Sequence, residues 1–382
     1  MSKQICVRCI YDETIPMINF DSEGVCNYCR QYEEMNRQYP TGEEGELILN
    51  RLVNKMKKDG RNKKYDVVVG VSGGCDSSYM LHLAKQYGLR PLAVHFDNTW
   101  NSKVAEQNIN KLITKLDIDL FTIRVNENEY NDIFNSFFKA SVPEIDTPSD
   151  IALAATHYIA AAKYGIKYIW EGHSFRTEGI SPMGWVYMDA KYISTIQKTY
   201  GTEKIKTLPN LWLFQWLKWM IIHKIKKYRP LYYINYNKEE TKKLLHEEYG
   251  WQWYGGHHME NKTAYFTNNY YWPKKFNINL RYCVFSALIR NNQMSRENAL
   301  IEIQKEYPFE IEILDEIKNK LKISDKEFEE IMIAPLKSYR DYTTYKQTFE
   351  KLKPFFWLLY KMNLVTKSFY VKFCNKDETT KN

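Results

Sequence analysis

Residues 67–80, VVVGVSGGCDSSYM, carry a β-branched run straight into two glycines, an aspartate and two serines. No polar residue alternates with Val67, Val68 and Val69, as expected of a strand covered on both faces, and the strand is placed over 66–71. Gly73 and Gly74 permit positive φ and remove side chains, so backbone N–H groups can turn toward a bound group. From Ser77 the pattern is helical, with Met80, Leu83, Ala84 and Tyr87 on one stripe and Gly88 placed to stop it. A glycine loop between a strand and a helix N-terminus is an anion site, and phosphate is the anion it suits. The lysine of the common GxxxxGKS/T loop is missing, which excludes that version of the site.

Outward from this stretch, strand and helix alternate. Strands are expected over 92–96, 120–125 and 167–170, and a helix over 102–116. Another helix covers 151–164, opened by Thr147 as N-cap with Pro148 at N1 and stopped by Gly165. This rhythm predicts an α/β fold, a parallel sheet with helices on both faces. Ligands then gather at the carboxyl ends of the strands. Asp97 and Asn98 follow the second strand, and Glu171, Gly172 and His173 follow the fourth, so both groups are expected beside the glycine loop. Asp76 is the loop's own candidate for holding Mg²⁺ against a pyrophosphate.

Four of seven cysteines lie at the start as Cys6-x2-Cys9-x16-Cys26-x2-Cys29, the spacing of a tetrahedral zinc site. Four thiolates close the coordination sphere, so such a site is structural. Disulfides are the alternative and belong to an oxidising compartment. Cys75, Cys283 and Cys374 read as incidental thiols. Pro40, Gly42 and Gly45 read as a connector before a short helix near 47–57.

The 382 residues suffice for one large or two ordinary domains, and the net charge is +8. That charge suits a polyanionic partner or an anionic nucleotide, and equally a lysine-rich surface with no further role. No apolar stretch reaches membrane-spanning length, and the opening MSKQICVRC lacks an apolar signal core, so a cytoplasmic protein is expected. Residues 211–228, LWLFQWLKWMIIHKIKKY, read first as a buried or partner-facing helix and second as an amphipathic helix on a membrane surface. Residues 254–300 crowd His257, His258 and Glu260 with aromatics, Lys274, Lys275, Arg281 and Arg290, and read as a substrate-facing surface. Beyond 310 the chain reads as helices with a lysine-rich, disordered tail.

The loop Ser72-Gly73-Gly74-Cys75-Asp76-Ser77-Ser78 resembles that of the PP-loop ATP pyrophosphatases. Five stretches together are similar to the N-acetyl sugar amidotransferases of bacterial surface-polysaccharide biosynthesis. They are CVRCIYDETIPMINFDSEGVCNYC (6–29), SGGCDSS (72–78), HFDN (95–98), TPSD (147–150) and the run from GGHHMEN (255–261) to NQMSRENAL (292–300). The resemblance extends over residues 4–310; Glu297-Asn298-Ala299 stands where the family pattern reads Glu-Glu-Ala.

It implies that ATP adenylates the acetamido oxygen of a nucleotide-activated sugar and that ammonia then displaces AMP to leave an acetamidino group, in lipopolysaccharide O-antigen, capsule or flagellin-glycan synthesis. On this reading Ser72, Gly73, Gly74, Ser77 and Ser78 hold pyrophosphate, Asp76 holds Mg²⁺, and Asp97, Asn98 and Gly172 line the nucleotide. The general base is one of His173, His258, Glu171 and Glu260, and Cys6, Cys9, Cys26 and Cys29 hold structural Zn²⁺. No glutaminase apparatus is visible, so the resemblance implies two partners, a glutaminase and an ammonia-channel subunit similar to the histidine-biosynthesis pair, and no stable nucleic-acid partner. The expected organisation is a zinc ribbon (1–40), a PP-loop ATP-binding domain (41–200), a substrate- and partner-binding region (201–310) and a helical C-terminal region (311–382). The rival reading is a transfer-RNA-modifying PP-loop enzyme of thiolation or lysidine type. Sulfur insertion wants mid-domain cysteines, and there are none between Cys75 and Cys283.

Overall fold

The computed structural model describes residues 3–256, 259–306 and 309–376. Five strands, β1 (Val67–Gly70), β2 (Pro91–Asp97), β3 (Leu120–Arg124), β4 (Tyr168–Trp170) and β5 (Lys226–Tyr228), form one parallel sheet in the order β3-β2-β1-β4-β5. The chain runs outward from β1 to β3 and then crosses to the far side of β1. The order therefore reverses between β1 and β4, where an open α/β sheet leaves its crevice.

In chain order, α1 (Asn27–Gln38) closes the cysteine ribbon, and α2 (Gly42–Asp59), α3 (Cys75–Gln86) and α4 (Lys103–Leu116) cover one face of the sheet. Helix α5 (Glu127–Lys139) packs with α7 (Ala190–Tyr200), while α6 (Thr147–Lys163) and α8 (Leu213–Ile221) cover the other face; α9 (Lys238–Tyr249) returns to the first. Val67 and Val69 pack toward α2 and α3, and Val68 packs toward α6 with Val94 and Ile169. Both faces of β1 are apolar, which is why its sequence does not alternate.

After α9 come α10 (Lys262–Phe266), a π-helical stretch (Thr267–Phe276), α11 (Arg281–Arg290) and α12 (Arg296–Glu302). The C-terminal helices are α13 (Ile311–Leu321), α14 (Asp325–Ile333), α15 (Lys346–Lys351), α16 (Lys353–Lys361) and α17 (Lys367–Cys374). They complete the cores. Leu314, Ile317 and Phe328 join the α5 cluster, and Phe349, Phe356 and Leu359 join the α6 face. Of the expected lysine-rich tail, residues 377–382 lie outside the described residues.

Several boundaries differ from expectation. Helix α2 starts at Gly42, so the expected connector is its first turn, and Gly45 is buried where a Cβ would lie 2.3 Å from the Tyr233 carbonyl oxygen and 2.4 Å from that of Pro40. That glycine serves close packing. Helix α3 starts at Cys75, two residues before Ser77, and the N-cap of α6 is Asp146, with Thr147 already helical. The segment 211–228 is not one helix: α8 ends at Ile221, Lys224 turns the chain at φ +56°, and Lys226–Tyr228 form the edge strand β5. Its lysines imitate the polar side of a helix. The buried reading holds for one side of α8, where Trp219 stacks on Tyr158 at 5.4 Å. Among the described residues no helix is long and apolar enough to cross a membrane.

Candidate functional site

The loop after β1 opens into the crevice. Gly73 sits at φ +81°, where a Cβ would come within 2.3 Å of the Ala105 carbonyl oxygen on α4. Its own carbonyl accepts from Trp251 Nε1 at 3.0 Å and Asn108 Nδ2 at 3.2 Å, which pins the loop from behind. Ser72 N–H donates to Ser77 Oγ at 3.2 Å, and Ser77 Oγ donates to the Gly74 carbonyl at 3.1 Å. Ser78 is buried and its N–H donates to the same carbonyl. At Gly74 the space is different. A Cβ there would meet Glu260 Oε1 at 2.9 Å and Ser72 Oγ and Tyr254 Oη at 3.1 Å, so three polar atoms converge over the loop at the N-terminus of α3. A glycine cradle, serine hydroxyls and a helix N-terminus together fit the phosphates of a nucleotide.

Asp76 faces Lys238 at the start of α9. Its carboxylate lies 2.9 Å from Lys238 Nζ and accepts from Tyr236 Oη. Burial pushes the Asp76 pKa up, but the Lys238 ammonium and the hydrogen bonds to the carboxylate together outweigh it and the net direction is downward; for Lys238 burial pushes down, Asp76 and Glu178 outweigh it, and the net direction is upward. Both groups are therefore charged. A cation already stands beside the carboxylate expected to hold Mg²⁺.

Gly172 lies against the Asp76 backbone, where a Cβ would be 3.3 Å from its carbonyl carbon. Glu171, beside it, pairs with Lys227 at 2.6 Å and Arg229 at 3.2 Å. Burial works to raise its pKa, yet the two cations hold it well below the usual carboxylate range. It is a poor proton acceptor. His173 is better placed, with a side chain 40% exposed, Nδ1 3.1 Å from Tyr232 Oη and Nε2 3.8 Å from Glu178. Arg229 Nη1 donates to Tyr232 Oη at 3.0 Å, so His173 and Arg229 share that hydroxyl.

After β2, Asp97 accepts from Thr99 N–H at 2.8 Å and pairs with Arg124 at 3.5 Å. Asn98 is only 3% exposed; its amide donates to Ser149 Oγ and accepts from Trp100 N–H and Asn261 Nδ2. Its side chain thus ties the loop after β2 to the segment 260–262 rather than reaching open space. Glu260 belongs to that segment, and its Oε1 lies 3.5 Å from Ser72 Oγ. His258, with its neighbour His257, lies outside the described residues. Arg229, Tyr232, Tyr236, Lys238 and Tyr254 were not singled out from the sequence. With 30 tyrosines and 54 basic residues in the chain, nothing in composition separates these five from the rest.

The four N-terminal cysteines converge. Their Sγ atoms all lie within 4.8 Å of one another, with Cys6–Cys29 and Cys9–Cys26 at 3.8 Å. Four sulfurs at about 2.3 Å from one tetrahedral ion stand about 3.8 Å apart, so the donor set fits zinc. N–H groups of Arg8, Tyr11 and Cys26 point at sulfurs. From α11, Arg290 reaches Cys29 Sγ at 3.2 Å and Cys9 Sγ at 3.3 Å, while Arg296 donates to the Cys6 and Cys9 carbonyls. The ribbon is thereby clamped to the later part of the chain. The closed donor set leaves this centre no position for substrate.

Residues 260–353 match the family model of the WbpG-like C-terminal domain of lipopolysaccharide biosynthesis proteins, and the match begins at Glu260. A probable mitochondrial tRNA-specific 2-thiouridylase 1 from Caenorhabditis elegans is 26% identical over 156 residues, which are 37% of this chain and 40% of that protein. The chain thus spans less than half the length of that curated relative. Among solved structures, an NMN synthetase from Francisella tularensis is 17% identical over 58% of this chain and 91% of its own, with a TM-score of 0.29. An NH3-dependent NAD synthetase from Campylobacter jejuni is 13% identical over 76% and 97%, with a TM-score of 0.31.

Proposed function

We propose that this chain, which belongs to the N-acetyl sugar amidotransferase family by its WbpG-like C-terminal domain, converts the acetamido group of a nucleotide-activated sugar to acetamidino at the expense of ATP. The observation that carries the reading is the meeting of Glu260, the first residue of that domain, with the glycine loop at Ser72 and Gly74. The loop and the start of that domain meet at this residue, which supports the reading.

In the reaction the amide oxygen attacks the α-phosphorus and pyrophosphate leaves. Ammonia then adds to the activated carbon, loses a proton, and AMP departs with the former amide oxygen. Residues 72–78 hold pyrophosphate as charge develops on it, and Lys238 adds a positive charge beside Asp76. Asp76 fits Mg²⁺ by its carboxylate chemistry, and the ion would neutralise phosphate charge there. His173 and Glu260 are the described groups placed to accept the proton. Ammonia comes from a separate glutaminase through a channel subunit, and the work is done in the cytoplasm.

The thiouridylase likeness keeps transfer-RNA modification as a second reading. All seven cysteines are buried, and burial pushes the thiols of Cys75 and Cys283 up to about 12, which is poor material for a persulfide relay. Mass spectrometry of nucleotide-linked acetamido sugars incubated with ATP and ammonium decides between them. An amidine product with AMP and pyrophosphate is expected, whereas adenylation or thiolation of transfer RNA with the sugars untouched would overturn the proposal.

A further inference from the structure

Helices α8 and α16 meet on the face of the sheet that α6 covers, with Trp216 of α8 stacked on Phe356 of α16 at 6.4 Å. Their inner sides, Leu213, Trp219 and Met220 on one and Phe356 and Leu359 on the other, are buried in a single cluster. Their outer sides are apolar too. Phe214 is 84% exposed, Ile222 68% and Trp357 48%, with Trp212, Leu358 and Met362 also exposed. A solvated helix face normally carries charge instead.

Along the chain, the charge flanking these side chains has one sign, although one of the lysines, Lys367, pairs with Glu34 from α1. Residues 204–238 contain eight Lys and Arg and no Asp or Glu, and residues 351–376 contain six Lys and no acid. These two stretches hold more positive charge than the whole chain's net +8, so the remainder is net acidic. Lys227, Arg229 and Lys238 face inward to Glu171 and Asp76. Lys218, Lys224, Lys353 and Lys361 are exposed beside the aromatics, and Lys361 Nζ stands 5.4 Å over the Trp357 ring.

We infer that the outer sides of α8 and α16 form an attachment surface for an anionic lipid bilayer, on which the protein lies without spanning it. Exposed tryptophan, phenylalanine and aliphatic tips among lysines match the headgroup and acyl boundary of such a bilayer, where indole rings and lysine stems are both partly buried. Anionic headgroups complement the acid-free flanks. The inference is independent of the reaction, since no residue of the crevice belongs to this surface.

Flotation of the full-length protein with vesicles tests it, using equimolar phosphatidylglycerol and phosphatidylcholine against phosphatidylcholine alone. Binding to the anionic vesicles, weakened by salt, is expected. Phe214→Glu with Trp357→Glu, and separately Lys218→Glu with Lys361→Glu, are each expected to lower partitioning by about tenfold or more while circular dichroism stays unchanged. No binding to anionic vesicles at low salt would overturn the inference. So would binding that both pairs of substitutions leave intact. Self-association of the wild-type chain abolished by the same substitutions, without vesicle binding, would assign the surface to a second copy instead.

Discussion

Two adjacent glycines divide the duties of the loop. Gly73 is required by backbone, since its φ is +81° and α4 leaves no room for a Cβ; at Gly74 a methyl would instead meet only side-chain atoms, those of Ser72, Tyr254 and Glu260. Gly73→Ala is therefore expected to lower stability by about 2 kcal/mol or more, read by thermal unfolding. Gly74→Ala should leave the fold in place and reduce ATP–pyrophosphate exchange on the order of a hundredfold. Equal effects of the two on stability would contradict this division. Lys238 supplies a second case. Replacing it by Met leaves the Asp76 carboxylate buried without its cation and should cost about 3 kcal/mol, part of which Asp76→Asn in the same chain restores. The folded pKa of Asp76 is lowered, so the pair's contribution is present above the ordinary carboxylate range and is lost as pH falls through the folded value. Denaturant unfolding followed from neutral to acid pH should show that loss in the wild type and not in the double variant. The loop was legible because glycine, serine and aspartate at fixed offsets have few other uses. Lys238 was not, because it comes from a helix start 162 residues later and enters the site through tertiary contact alone.

At the scale of elements, periodicity placed β1 to β4 and the helices between them, because strands covered on both faces and one-sided helices leave different patterns. It misplaced what tertiary packing decides. Lys226–Tyr228 is a strand because β4 has an open edge there, although its residues look like the polar end of a helix. The start of α2 was hidden by Gly45, which is in the helix for close contact with Tyr233 and Pro40 and not to interrupt it. The cysteine ribbon was legible by spacing, but its clamp was not. Arg290 and Arg296 join the four-cysteine cluster to α11 and α12, so the ribbon and the module are coupled. Metal analysis is expected to find one zinc per chain. Its removal by chelator, or Cys26→Ser, should lower the unfolding temperature and loosen amide protection in both the ribbon and α11, before nucleotide binding is affected. Protection lost in the ribbon alone would show that the two are not coupled.

Across the whole molecule, the crevice is assembled from the loop after β1, the loop after β4, the start of α9 and the segment that opens the WbpG-like domain, but it contains no thiol that could release ammonia from glutamine. Four cysteines are gathered in the ribbon, and Cys75, Cys283 and Cys374 are buried, with burial pushing each thiol upward. A glutaminase cysteine needs the opposite, an accessible thiolate beside a base. The isolated chain should therefore form amidine from ammonium chloride and ATP. At fixed total ammonium its rate should climb with pH, because only NH3 has a lone pair with which to attack. Glutamine should be inert until a glutaminase and an ammonia-channel subunit are added. With them the dependence on pH should flatten, since ammonia carried inside protein is not protonated by bulk water. Coupled assays of AMP and amidine with each nitrogen source measure this directly. Glutamine hydrolysis by the purified chain would remove the need for partners, and a rate indifferent to pH with ammonium alone would mean that free NH3 is not the nucleophile.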